Sequence, residues 1–131
     1  YFAHKVFLEY FKHGNIYTKE IVRAAIEALI GDAKTIKTNL PAQGVITVTE
    51  NGNRKIVHTL YASAVLRGEN TQIIEDLIPI YNTTVSLKSD KAPKSVTLVP
   101  ENVALDFEYD GGEIKFTIPK FECWQMTEIK Y

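Results

Sequence analysis

The sequence changes character at Leu40-Pro41, and this change restricts the folds that the chain can adopt. The residues before it have a helical pattern. After it come short runs of alternating polarity, separated by turn signals at Asn51-Gly52 and at 110–112, and by prolines at positions 79, 93, 100 and 119. Regularly spaced turns of this kind predict an antiparallel, sandwich-like β domain. We therefore predict a mainly β chain in two parts, a helical segment over 1–40 and an antiparallel β domain over 41–131.

The chain has 131 residues and a net charge of −1, which bounds its general class. This length can bury one substantial core. The near-neutral charge gives no basic face for nucleic acid, and no apolar run approaches the roughly 20 residues of a membrane span. The single cysteine, Cys123, excludes an internal disulfide framework. The first residues lack the layout of a signal peptide, so any targeting signal is expected upstream in a longer protein.

Two helices are predicted in the first part. Apolar residues recur at helical spacing over 2–11, and Gly14 suits a C-terminal cap. Thr18 is the expected N-cap of the second helix, and Gly31 is expected to close it. Residues 32–40 are expected to form a connector or an edge strand. One apolar stripe is predicted on the second helix, from Ile21, Val22, Ala25, Ile26, Leu29 and Ile30.

The second part is expected to contain seven or eight strands. The predicted runs are 45–49, 55–61, 73–87 with a break at Pro79, 95–99, 104–109, 113–118 and 122–130. The alternation of apolar and polar residues over 104–110 predicts a strand with one buried face and one solvent-exposed face. A polar loop is expected over 64–72. Equal parity on neighbouring strands predicts one shared core. That core is expected to contain Val57, Val96, Leu98, Phe107, Ile114 and Phe116.

No residues form a convincing catalytic or metal-binding constellation. A glycosidase needs two carboxylates about 5 to 10 Å apart. The carboxylates to consider are the acidic residues 106, 108 and 110, which share one strand face, and the adjacent pair Glu75-Asp76. A solvent-facing role is favoured for that trio, and a calcium site is the weaker alternative because loop ligands are absent. The histidines at 4, 13 and 58 lack ligand spacing, and Cys123 is expected to be a buried small side chain. We predict no catalytic residue, metal or cofactor.

Aromatic residues offer the one alternative site. The candidates for contact with carbohydrate through stacking are Trp124, Tyr61, Tyr81, Tyr109 and Phe121, and the first three are the predicted contacts. Core packing is the default for aromatic residues in a small β domain, because their burial stabilises it strongly. A concave face with two or more exposed rings would favour sugar binding, and a polar face without rings would favour a structural role.

Five structural motifs run along nearly the whole sequence: HGNIYTKEIVRAAIEALI, LPAQGVITVTENGNRKIVHTLYAS, IIEDLIPIYNTTVSLKS, SVTLVPE and FTIPKFECWQM. With these motifs the chain resembles the C-terminal region of family-42-related, β-galactosidase-like bacterial glycoside hydrolases. The resemblance implies the end of a trimerisation domain followed by a small β domain, with the catalytic glutamates on a preceding barrel and none in this chain.

This resemblance implies a non-catalytic accessory domain with a role in structure and assembly, and the alternative is a carbohydrate-binding module. The expected partners are the catalytic and trimerisation domains of the same polypeptide, together with self-association of the chain or carbohydrate. The apolar helical stripe is expected to pack on the β domain, with some self-association. The implied source is bacterial. A periplasmic or secreted location is expected if the parent carries a signal peptide.

Overall fold

The structure is a computed structural model, and it describes residues 4–131. The chain divides into two compact units, one ending at Lys34 and one beginning at Thr35. This division lies slightly earlier than the boundary predicted at residues 40 and 41. The difference arises because the first strand, β1 (Ile36–Thr38), pairs with a strand of the β unit. Each unit is described by itself.

The first unit contains α1 (Val6–His13) and α2 (Ile16–Ile30). Positions 2 and 3 of the first predicted helix lie outside the described residues. Gly14 caps α1 with a left-handed φ of 60°, as predicted, and its N–H donates to the Tyr10 carbonyl. Gly31 caps α2, also as predicted.

The N-cap predicted at Thr18 is wrong. Asn15 holds that position, with extended backbone, and its Oδ1 accepts a hydrogen bond from the Tyr17 N–H at 2.9 Å. Asparagine is a stronger N-cap than threonine, and it lies at the point where α1 has just ended. The helix therefore begins at Ile16 and includes Thr18 in its first turn.

No residue of the apolar stripe on α2 is buried, and no residue of α1 is buried. Leu29 and Phe11 are each 87% exposed. On the polar face, Arg23 forms ion pairs with Glu20 and Glu27. The expectation that this stripe packs against another surface stays a prediction.

The second unit is antiparallel throughout and contains eleven strands. A four-stranded sheet A has the order β1-β6-β10-β9, a five-stranded sheet B has the order β2-β3-β11-β7-β8, and β4 pairs with β5. The remaining strands are β2 (Val45–Asn51), β3 (Arg54–Leu60), β4 (Val65–Arg67), β5 (Thr71–Ile73), β6 (Ile80–Lys88), β7 (Ser95–Val99), β8 (Val103–Ala104), β9 (Phe107–Asp110), β10 (Glu113–Phe121) and β11 (Trp124–Lys130). The predicted mainly β fold with helices at its start is confirmed.

Three segments differ from their predictions. The strand expected over 104–109 is divided into β8, which belongs to sheet B, and β9, which belongs to sheet A. The loop expected over 64–72 contains the short hairpin of β4 and β5, which turns at Gly68 with a φ of 60°. The strand expected to end at Ile118 continues to Phe121 through Pro119. Proline has no N–H to donate to a neighbouring strand. Pro119 is accommodated because the ladder between β10 and β6 pairs Ile118 and Lys120 but not Pro119 itself.

The core lies between the inner faces of sheets A and B. The predicted shared core is confirmed for five of its six members, and the sixth, Phe107, is partly buried against the same cluster because β9 is an edge strand. The buried apolar residues come from both sheets: Val57, Val85, Leu87, Val96, Leu98, Ile114, Phe116, Ile118, Phe121 and Ile129.

Three buried threonines interrupt this apolar layer. Thr59 and Thr127 lie on the inner face of sheet B, and Thr83 lies on the inner face of sheet A, with exposures of at most 1%. Their hydroxyl oxygens have no hydrogen-bond partner within the described part of the chain. A buried hydroxyl without a partner loses its hydration and gains nothing in return.

A kink in β6 at Asn82 is held by the side chain of Asn39. Asn82 has a φ of 52°, a left-handed conformation that asparagine tolerates. The Asn39 amide nitrogen donates to the Asn82 carbonyl at 3.1 Å, and the Asn39 amide oxygen accepts from the Thr84 N–H at 2.9 Å. Just beyond the end of β1, the Asn39 side chain thus supplies hydrogen-bond partners to the backbone of Asn82 and Thr84.

Candidate functional site

Trp124 lies at the start of β11 on the outer face of sheet B. Its side chain is 43% exposed, and it lies opposite Leu60 of β3, which in turn lies opposite Val45 of β2. Leu60 and Val45 are 41% and 54% exposed. These three residues form a continuous apolar row across three strands, which we call the Trp124 row.

The Trp124 row was not identified from the sequence, although a signal for it existed. The Asn51-Gly52 turn fixes the register of β2 against β3, and that register places Val45 beside Leu60. The pairing of β3 with β11, which adds Trp124, joins segments far apart in the sequence. Only the fold brings them together.

The other two candidate aromatic residues do not join Trp124 on this face. Tyr81 belongs to sheet A, is 61% exposed, and has the Lys120 ammonium 5.9 Å from its ring centroid. Tyr61 follows β3, donates its N–H to the Cys123 carbonyl, and packs against the core. Carbohydrate contact by these residues stays a prediction, and the structure exposes the rings of Trp124 and Tyr81 more fully than that of Tyr61.

An open groove of about 1120 Å³ lies along sheet A. One polar row crosses all four strands there, because Lys37 and Lys115 both lie opposite Ser86, and Lys115 lies opposite Glu108. Of the two aromatic residues that line the groove, Phe116 belongs to the core cluster on the inner side and Phe107 packs against that cluster. The groove lining therefore presents no outward aromatic ring, and its exposed side chains are hydrogen-bonding groups together with the apolar Val103, Ala104 and Pro119.

Asp106 and Glu108 line this groove, which makes them the carboxylates to consider for glycoside cleavage. Both are exposed, as is Asp110 at the end of β9, whereas Asp106 precedes that strand. A glycosidase keeps its acid protonated by placing it in a water-poor environment. An exposed strand face does not supply that environment. The solvent-facing interpretation of the three carboxylates agrees with their exposure.

The groups considered for metal or thiol chemistry are scattered. Among residues 4–131, no three His, Cys, Asp or Glu side chains group in a way that could hold a metal ion. Cys123 is half-buried rather than buried, and it occupies a turn with a φ of 60°. His58 lies 3.4 Å from the Thr49 hydroxyl on the neighbouring strand. No helix in the described residues has the length and apolarity needed to cross a membrane.

Glu128 on the outer face of sheet B forms ion pairs with two basic side chains. Its carboxylate lies 3.0 Å from both the Lys130 ammonium and the Arg54 guanidinium. Hydrogen bonding from Lys130, and then from Arg54, lowers the pKa of Glu128 below its ordinary value, and partial burial opposes this. Lys130 and Arg54 lie directly opposite each other, so Glu128 also screens two like charges.

The lowered pKa of Glu128 predicts acid sensitivity. A carboxyl group whose pKa is lower in the folded state stabilises the fold above its unfolded pKa of about 4.3, and this stabilisation is lost as the pH falls through the lower folded value. We expect urea midpoints to fall less between about pH 6 and pH 3 in Glu128→Gln than in the wild type. Glu108→Gln, which changes an exposed carboxylate, is the control. Equal pH dependence in the wild type and Glu128→Gln would contradict the assignment.

Solved structures of two carbohydrate-active enzymes are similar to this chain. No protein-family model matches the sequence. No curated protein matches it either. Among solved structures, the chain is similar to α-L-fucosidase isoenzyme 2 from Paenibacillus thiaminolyticus, at 42% identity and a TM-score of 0.90 over 96% of its length.

The same match covers only 20% of the fucosidase, so this chain spans about a fifth of that protein. A second structure is a cycloisomaltooligosaccharide glucanotransferase from Paenibacillus sp., complexed with cycloisomaltoheptaose. It matches 72% of this chain and 16% of its own, at 17% identity and a TM-score of 0.54. That likeness concerns the fold alone. The chain is therefore similar, in sequence and in fold, to a small part of a glycoside hydrolase.

Proposed function

We propose that this chain is a non-catalytic accessory domain of a glycoside hydrolase, with a role in structure and assembly. The observation that carries the proposal is the 42% identity over nearly the whole chain to one fifth of an α-L-fucosidase. The exposed carboxylates of the sheet A groove support the non-catalytic part. The absence of outward rings in that groove supports a structural role over sugar binding.

The substrate of the catalytic part has two candidates. The sequence motifs resemble β-galactosidase-like, family-42-related proteins, whereas the structural match is a fucosidase. We infer α-L-fucosides as the first candidate because that match includes both a high TM-score and substantial identity. β-Galactosides are the second. We further propose that the exposed stripe of α2 packs against other domains of the same polypeptide, because wet apolar surface is unfavourable.

A domain exchange tests the accessory role. The matched segment of the Paenibacillus thiaminolyticus fucosidase would be replaced by this chain, and in a second protein the segment would be deleted. We expect the chimaera to stay soluble and to hydrolyse an aryl α-L-fucoside, because the two segments share their fold. The deletion is expected to lower solubility and thermal stability, since it uncovers surfaces that the segment normally contacts.

Two results would contradict the proposal. One is a deletion protein whose activity, assembly and melting temperature match those of the intact fucosidase. The other is hydrolysis of aryl α-L-fucosides or β-galactosides by this chain alone, with activity lost in Asp106→Asn or Glu108→Gln. Those two carboxylates line the groove and would be the candidates for such activity.

Carbohydrate binding is the second candidate function, and the exposure of Trp124 favours it. An indole ring that is 43% exposed beside Leu60 offers a flat apolar surface to a sugar ring. Trp124 is the only tryptophan of the chain, so its fluorescence reports on this surface alone. A saturable fluorescence change with free L-fucose or D-galactose would favour this second candidate.

A further inference from the structure

The four outermost strands of the two sheets differ in how well they resist pairing with another strand. In sheet A, β1 has three residues and β9 has four, with Glu108 and Asp110 among them. In sheet B, β8 has only two residues. Short or charged edges are the usual means by which proteins avoid unwanted strand pairing. The remaining edge strand, β2, has seven residues.

The sequence of β2 offers no such protection over most of its length. Its first five residues, Val45–Thr49, are all β-branched and uncharged, and no proline or lysine occurs in the strand. Ile46 and Val48 pack against the core on the inner side of the strand. β3 pairs with one edge of β2, and within residues 4–131 no strand pairs with the other.

We propose that β2 pairs antiparallel with β2 of a second copy of this chain, about a two-fold axis at Thr47. This pairing joins sheet B of one copy to sheet B of the other. In this register Val45 lies opposite Thr49 of the second copy, Ile46 lies opposite Val48, and the two Thr47 residues face each other. Residues directly opposite in an antiparallel pair point to the same face, so the apolar residues at 46 and 48 meet on the inner side.

Self-complementarity is the reason for choosing a second copy as the occupant. A two-fold axis at Thr47 brings together only β-branched residues, whose side chains pack well across strands. Glu50, the one charged residue of β2, falls outside the five-residue pairing and keeps its ion pair with Lys55 at 2.9 Å. An interface that uses the same patch twice closes on itself as a dimer.

The pairing would also continue the Trp124 row. Val45 is the outermost member of that row on sheet B. In the proposed register its outer neighbour is Thr49 of the second copy, so exposed apolar surface at Val45 becomes covered on both sides. This inference does not depend on the proposed function, since it concerns only the β2 edge.

Sedimentation velocity of the full chain over a concentration series tests the proposal. We expect a concentration-dependent dimer in the wild type. Thr47→Lys is expected to weaken dimerisation about tenfold or more, because it sets two lysines directly opposite each other at the axis. Thr117→Lys makes the same change on an exposed position of β10, a strand paired on both sides, and is expected to leave dimerisation unchanged.

A cross-linking measurement checks the register without adding charge. In a Cys123→Ser background, Thr47→Cys is expected to form an intermolecular disulfide under mild oxidation, because opposite residues approach closely enough for one. Thr117→Cys in the same background is expected to form no intermolecular disulfide, because position 117 lies on β10 and away from the proposed contact. A wild-type monomer at every concentration would overturn the proposal. So would a dimer that Thr47→Lys leaves intact but that Leu29→Glu on α2 dissociates, since this would place the contact on the helices.

Discussion

Truncating Phe116 to alanine is expected to lower the free energy of unfolding by about 3 to 5 kcal/mol. Phe116 is 4% exposed, lies on β10 between β6 and β9, and belongs to the cluster that both sheets share. Removing its ring takes buried apolar surface from the core and leaves a cavity that the paired strands on either side cannot close. Urea denaturation followed by circular dichroism measures the change.

Tyr81→Ala is the matched control for Phe116→Ala. It also removes an aromatic ring from sheet A, but from a side chain that is 61% exposed. We expect it to cost less than about 1 kcal/mol, the usual range of strand-propensity effects. A loss below about 1 kcal/mol for Phe116→Ala would place that ring at the surface and reverse the register of β10.

Replacing the three buried threonines by valine is expected to stabilise the chain. Thr59→Val, Thr83→Val and Thr127→Val each remove a buried hydroxyl that has no partner within the described residues, and valine has nearly the same shape. The gain should be about 1 kcal/mol at each site, and about 3 kcal/mol for the triple variant if the sites act independently. Urea denaturation of each variant gives these values.

Thr117→Val serves as the control for the threonine series. Its hydroxyl is on an exposed position of β10, so the same change there should alter stability by no more than about 0.5 kcal/mol. A triple variant that is less stable than the wild type would show that the buried hydroxyls take part in hydrogen bonds, for example to internal water.

Local signals predicted the parts of the fold that depend on neighbouring residues. The Asn51-Gly52 turn located the hairpin of β2 and β3, and the alternation of side chains along β3 placed Val57 in the core. Gly14 and Gly31 marked both helix ends correctly. The N-cap was misplaced because both Asn15 and Thr18 carry capping side chains, and only the end of α1 distinguishes them.

The candidate site was less predictable because it depends on pairing between distant segments. Three aromatic residues were candidates for sugar contact, and nothing local separates Tyr61, which packs on the core, from the exposed Tyr81. The Trp124 row likewise exists only because β11 pairs with β3. Exposure of a β-strand residue depends on which strands flank it, and the sequence of one strand does not contain that information.

The turn at Glu122-Cys123 joins β10, which is flanked on both sides in sheet A, to β11, which is flanked on both sides in sheet B. Closing a loop costs conformational entropy that grows with its length, and layered β folds usually incur this cost over long separations. Here two residues carry the chain from one layer to the other. The step that sets the two sheets face to face therefore involves almost no loop closure, and the outer strands can add to a pair of central strands that are already opposed.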